Sequence, residues 1–213
     1  MCRLLLIKSE KDFFIESYLK SFSEIAKNSK EYQGHGWGFA YLEKGSWKIY
    51  RNIKPVWEED FSKFSEIKTK ELLAHARSAF RDEGIVVENN MPFQEKERIF
   101  IFNGQLKGVK ISEEGRIGAE KIFNFINRFD KGNLFEAVEK AVEIIKKRTA
   151  YIKAMNFIIS DKEKVYLVSF FNEDESYFRM HKKEGEVLII CSEPLSEISG
   201  WEKIENNTIQ ELK

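Results

Sequence analysis

The period of the apolar residues changes along this chain without regular alternation, and that order restricts the fold more than any single motif. Residues 2–7 form a short apolar run suited to a buried strand. Residues 12–27 then place Phe14, Tyr18, Phe22 and Ile25 at three- and four-residue intervals, the spacing of an amphipathic helix. Strand-like runs follow at 39–42 and 47–53, joined by a Lys44-Gly45 turn, and again at 72–79 and 98–102. A helical block occupies 119–129 and 134–148, where Ile122, Phe123 and Ile126, then Leu134, Val138, Val142 and Ile145, repeat at helical spacing. Strands return at 154–160, 165–171, 177–181 and 187–191. A doubly wound parallel sheet needs strands and helices in alternation, because each parallel crossover usually carries a helix. Grouped strands and grouped helices instead predict an α+β fold, with two largely antiparallel sheets covered by helices.

A chain of 213 residues can bury one substantial core, and the absence of a Pro-, Gly- or Ser-rich linker predicts one domain over residues 1–213. The 35 basic and 35 acidic residues cancel, so no excess of positive charge points to nucleic acid. Apolar runs fall well short of the roughly 20 residues that span a bilayer, which argues against a membrane partner. Lys8, Glu10, Lys11 and Asp12 interrupt the apolar start where a signal peptide would continue, so a cytoplasmic location is expected. Two cysteines make no disulfide framework. His35, His75 and His181 do not have metal-ligand spacing, so neither a metal nor a cofactor is expected.

Four positions can carry chemistry. Cys2 follows the initiator Met1, and its side chain is small enough for methionine aminopeptidase to expose it as a new N-terminus. A mature Cys2 would hold a thiol nucleophile and, in its α-amine, a base that titrates at about 7.7–8.0. The plainer reading is a small residue at the head of a buried strand. Asn103-Gly104 ends the apolar run 98–102. As a dipeptide it signals a tight turn, yet an Asn amide and a Gly N–H can also converge as two donors to an oxyanion. Arg77, between Ala76 and Ser78, can grip a carboxylate with two parallel hydrogen bonds, or pair with a surface acid. His75 reads as a structural hydrogen-bonding residue and Cys191 as a small buried one. The glycines at 34–38 lack the Lys-Ser/Thr ending of a phosphate loop, and they read as a tight turn beside Trp37. Phe13, Phe14 and Phe22 are expected on a helix at core spacing.

Taken in order, several short segments form a pattern: Met1-Cys2-Arg3-Leu4-Leu5, Gly36-Trp37-Gly38, His75-Ala76-Arg77-Ser78-Ala79, Pro92-Phe93, Phe102-Asn103-Gly104, residues 156–160, and Ser192-Glu193-Pro194-Leu195 with Trp201. The pattern resembles the class II glutamine amidotransferases of the N-terminal nucleophile hydrolase superfamily, and is most similar to the stand-alone members without a fused synthase domain. The resemblance implies a four-layer αββα sandwich, removal of Met1, and attack by Cys2 on the amide of glutamine or a γ-glutamyl compound. It implies that Arg77 holds the substrate α-carboxylate, that Trp37 and Gly38 lie at the substrate, and that Asn103 and Gly104 stabilise the oxyanion. A small-molecule amide is the implied substrate. A synthase that accepts ammonia, or a second copy of the chain, is the implied partner.

The pattern is incomplete. Gly118 stands where the family has an Asp for the substrate amino group, Phe80 where a Thr follows the Arg, and Met91 and Phe102 where His precedes Pro-Phe and Asn-Gly. Losing a carboxylate that pairs with a substrate ammonium costs about 2–5 kcal/mol of binding. The resemblance therefore leaves three expectations: an acylated γ-glutamyl substrate without a free ammonium, a different acid supplying the charge, or a pocket that has lost activity and serves as a binding module.

Overall fold

The computed structural model describes residues 1–212. β1 (Arg3–Phe14) leads into α1 (Ile15–Lys27), then β2 (Trp37–Glu43), β3 (Ser46–Asn52) and β4 (Lys68–Ala76). β5 (Phe93–Glu95) and β6 (Arg98–Val109) precede α2 (Gly118–Phe129) and α3 (Leu134–Lys147). β7 (Thr149–Ser160), β8 (Val165–Ser169), α4 (Glu175–Phe178), β9 (His181–Lys183), β10 (Val187–Cys191), β11 (Glu202–Lys203) and β12 (Thr208–Leu212) complete it. Among the described residues the strands form a seven-stranded sheet, ordered β11-β9-β10-β1-β4-β2-β3, and a five-stranded sheet, ordered β12-β8-β7-β6-β5. Neighbouring strands pair antiparallel throughout.

Alternation along the strands sets the layers, because successive side chains point to opposite faces. Leu5 and Ile7 of β1 pack with Leu19, Phe22 and Ile25 of α1, whereas Leu4 and Leu6 join the cluster of Ile101 and Ile158 on the inner face of the second sheet. The outer face of that sheet is covered by Ile122, Phe123 and Ile126 of α2 and by Val138, Val142 and Ile145 of α3. Phe100 lies flat on Phe123, 4.8 Å between ring centroids. The order is helix, sheet, sheet, helices: the expected αββα sandwich.

Local boundaries differ from expectation where tertiary pairing overrides pattern. β1 runs on to Phe14, since Phe13 and Phe14 pair with Thr69 and Lys68 beyond a break in register. The helix therefore starts at Ile15, and Phe13 and Phe14 lie on the strand. Residues 72–79 end as strand at Ala76, where the Arg77 amide turns to the Gly36 carbonyl, 2.9 Å. Residues 177–181 hold the end of α4 and the start of β9 rather than one strand, and β5 and β12 were too short or too polar to register as strands. Asn103-Gly104 is no turn: β7 pairs with both residues, Asn156 opposite Asn103 and Met155 opposite Gly104.

One end of the inter-sheet layer is closed by an ion pair. Lys8 Nζ lies 2.8 Å from Glu71 Oε2, while the buried Glu71 Oε1 has no partner. Burial pushes the Glu71 carboxyl above its ordinary range, and Lys8 opposes this. Removing only the ammonium leaves a buried acid uncompensated. Lys8→Met is expected to cost about 3 kcal/mol in chemical denaturation, and Lys8→Met with Glu71→Leu to recover most of it.

Candidate active site

The opposite end of the same layer gathers the polar residues. Cys2 continues the face of Leu4 and Leu6, and His75 and Arg77 continue that of Leu73, so all three address the second sheet. Arg3 stands opposite Ala76, which puts Cys2 and Arg77 one step beyond that pair on adjacent chains. On the other sheet Phe100 and Phe102 stack on the helix side, so Asn103 faces inward. His75 ties the two halves, its Nε2 3.1 Å from the Phe102 carbonyl.

Cys2 is half-buried, with Sγ 3.7 Å from the Ser78 carbonyl. Met1 precedes it, and the Met1 carbonyl accepts hydrogen bonds from Gln33 Nε2 at 2.5 Å and from the Tyr177 hydroxyl. The Met1 side chain packs on Ala154, Phe171, Tyr177 and Phe178, and burial lowers its amine below the usual range. Arg3, beneath, is buried against the Tyr177 ring, its guanidinium carbon 4.2 Å from the centroid.

Arg77 is held from the loop that follows it. Its Nη1 donates to the Gly84 carbonyl at 2.9 Å and to Asn90 Oδ1 at 3.4 Å. Burial lowers the guanidinium from its usual value, and a Cys2 thiolate acts in the other direction. Asn103 is fully buried, yet neither its Nδ2 nor its Oδ1 has a hydrogen-bond partner. Buried carboxamides are nearly always satisfied, so a doubly orphaned one implies a partner that is not part of the protein. At Gly104 a Cβ would sit 2.2 Å from the Ala154 carbonyl oxygen, so only glycine lets β7 approach here.

Burial pushes His75 down to about 3, with Arg77 adding to the effect. It is therefore neutral at physiological pH and no general acid. Since the unfolded chain binds a proton near 6.5 that the folded chain refuses, this group destabilises the fold as pH falls from 6.5 towards 3. The stability of wild type relative to His75→Gln is expected to decline over that window by on the order of 3–5 kcal/mol, read from denaturation midpoints at each pH.

The two further residues expected at the substrate lie on opposite faces of their sheet. Trp37 is fully buried on the α1 side of its sheet, its ring 5.5 Å from those of Phe39 and Tyr50. The indole is a core side chain, because alternation along β2 turns it away from Cys2. Gly38 does face inward, opposite His75, but a Cβ there would meet the Met91 and Tyr50 carbonyl oxygens, each at 2.7 Å. Its bareness admits the Met91-Pro92 backbone. Of the departures from the pattern, Met91 is buried in the inter-sheet core, Phe80 is exposed, and Gly118 opens α2 with open space around a would-be Cβ. No steric reason excludes an Asp at 118. Among the described residues no group of three or more His, Cys, Asp or Glu is placed to hold a metal, and no helix is long and apolar enough to cross a membrane.

Residues 1–177 match the family model for "Glutamine amidotransferases class-II". The chain belongs to the class-II glutamine amidotransferases. Solved structures of similar fold include a glutamine aminotransferase class-II domain protein from Silicibacter pomeroyi, 15% identical with a TM-score of 0.63, where 99% of this chain covers 98% of that one. A predicted glutamine amidotransferase from Pseudomonas aeruginosa is 15% identical with a TM-score of 0.61, covering 99% of this chain and 96% of that one. The glutamine phosphoribosylpyrophosphate amidotransferase of B. subtilis, solved with ADP and GMP, aligns with a TM-score of 0.71 at 14% identity. All of this chain is covered there, but only 49% of that enzyme. No curated protein sequence matches.

Within this class-II amidotransferase, Gln33, Asn89, Asn90 and Tyr177 join the site without having been singled out from sequence. A lone Gln in a connecting segment, or a Tyr in a one-turn helix, carries no periodic or motif signal. Only their convergence on Met1 and Arg77 marks them.

Proposed function

We propose that the chain hydrolyses the side-chain amide of glutamine or of a γ-glutamyl compound, with Cys2 as nucleophile and a thioester as intermediate. The observation that carries this reading is the buried, partnerless carboxamide of Asn103 on the inner face shared with Cys2 and Arg77. Removal of Met1 frees the Cys2 amine, which takes the thiol proton. The thiolate attacks the amide carbon, and the oxyanion receives hydrogen bonds from Asn103 Nδ2 and the Gly104 N–H. Collapse breaks the C–N bond, the leaving amine departs with the proton held by the α-ammonium, and water then cleaves the thioester to the free acid. Arg77 pairs with the substrate α-carboxylate, oriented by Gly84 and Asn90. Gln33 and Tyr177, which now hold the Met1 carbonyl, are the side chains positioned to receive the mature amine.

The test is incubation of Met1-free protein with a panel of γ-glutamyl amides, following released amine, with mass spectrometry for acylated Cys2. Release of amine together with a Cys2 adduct supports the reading. Absence of both, in protein shown to begin at Cys2, overturns it. A second reading, a binding module of the same fold, is favoured by Gly118 and the exposed Phe80. It expects stabilisation by ligand without turnover.

A further inference from the structure

The loop that holds Arg77 offers a second recognition group. Asn89 is buried, and its Nδ2 donates to the Gly84 carbonyl at 3.0 Å, the same oxygen that accepts from Arg77 Nη1 at 2.9 Å. The other end of that carboxamide, Oδ1, is buried without a partner. A neutral acceptor therefore waits beside the cation that would grip a carboxylate. In a γ-glutamyl compound the α-nitrogen is bonded to the same carbon as the α-carboxylate. The charges around it do not suit an ammonium. Among the described residues, Arg77 interacts with Cys2 and with His75, and Glu88 acts on Arg51 and Arg116 instead. Gly118 brings no carboxylate.

Large apolar side chains are exposed on and around this loop, interspersed with the exposed charges of Arg81, Glu83 and Glu88. Among the described residues six large hydrophobic side chains are exposed, and all but Phe14 belong to the loop or to segments bonded to it: Tyr32, Ile53, Phe80, Val86 and Val87. Each is joined to the Arg77 loop by a short connection. Tyr32 meets the His35 ring edge-on at 5.0 Å, and His35 Nδ1 accepts from the Ala79 amide, the residue before Phe80. Asn90 Nδ2 donates to the carbonyl of Asn52, the residue before Ile53. The Val86 amide donates to Gly84, and the Val87 carbonyl accepts from the Asn90 amide. An apolar rim around a few convergent polar groups is the usual form of a small-molecule site.

We infer that the substrate carries an acyl group with an apolar chain on its α-nitrogen: its amide N–H donates to Asn89 Oδ1, its carboxylate pairs with Arg77, and its chain lies on the rim led by Phe80 and Val87. The substrate class is N-acylglutamine or its γ-amide relatives, hydrolysed to N-acylglutamate and an amine. This rests on the amide-hydrolase reading for turnover but not for recognition, so the two are tested apart. Binding is measured on Met1-free Cys2→Ala protein by calorimetry and thermal shift with L-glutamine, N-acetyl-L-glutamine and N-octanoyl-L-glutamine. The expected order is octanoyl, then acetyl, then glutamine, with affinity rising roughly fourfold per methylene for the first few.

Asn89→Asp is expected to reverse the preference between glutamine and N-acetylglutamine by about tenfold or more, as a carboxylate takes the ammonium. Should that variant fail to fold, Phe80→Ser and Val87→Ser, both at exposed positions, are expected to remove the octanoyl advantage and leave N-acetyl binding unchanged. Equal or tighter binding of glutamine, or no binding of any of the three, overturns the inference. Tight N-octanoylglutamine binding without wild-type turnover sustains it and sinks the hydrolase reading.

Discussion

Cys2→Ala is expected to abolish amide hydrolysis, lowering the rate by about 10⁴-fold or more, while ligand-dependent stabilisation persists. Alanine is also small enough for Met1 to be removed, so the variant keeps a free α-amine and loses only the sulfur. The comparison therefore isolates the nucleophile from the base. Without the thiolate no covalent step divides the reaction, and the oxyanion donors and Arg77 can hold the substrate but not open its amide. The assay is amine release under saturating substrate, with the N-terminal residue verified by mass spectrometry. Residual turnover within tenfold of wild type would exclude Cys2 as nucleophile.

Asn103→Ala has a second signature, because activity and stability should move apart. Loss of one oxyanion donor is expected to reduce turnover by about 10²–10³-fold. Stability should hold or rise, because the carboxamide forms no hydrogen bond in the fold and its burial costs desolvation. A residue retained for packing behaves in the opposite way: truncation lowers stability first. Paired measurements of rate and denaturation midpoint decide between them. Loss of stability with unchanged turnover would show that Asn103 serves only the sheet. Gly104→Ala is the contrast, since its Cβ would press on the Ala154 backbone and should cost both.

How far the site was legible follows from how local each signal is. Cys2 stands out in the sequence because the chemistry proposed for it depends on its place in the chain. Arg77 is a candidate by residue type, yet its restraint by Gly84 and Asn90 depends on a loop closing over it, which no spacing announces. Asn103-Gly104 shows the limit of a dipeptide rule. The local propensity favours a turn, but β7 offers partners to both residues, and the ladder continues. Trp37 shows the same limit: its motif neighbours reach the inner layer, while strand alternation sends the indole to the aromatic core.

The grouping of strand and helix periods, readable without any coordinates, was enough to require an α+β protein with antiparallel sheets, because connectivity and periodicity are properties of adjacent residues. Which faces meet is a property of distant ones. The inter-sheet layer that brings Cys2, Arg77 and Asn103 to one end, and leaves the Asn103 carboxamide and Asn89 Oδ1 without partners, exists only once residues 2, 77, 89 and 103 are folded together. Burial and unmet hydrogen bonds are defined by the packed chain, so the geometry that joins residues 2, 77 and 103 was decided by tertiary structure.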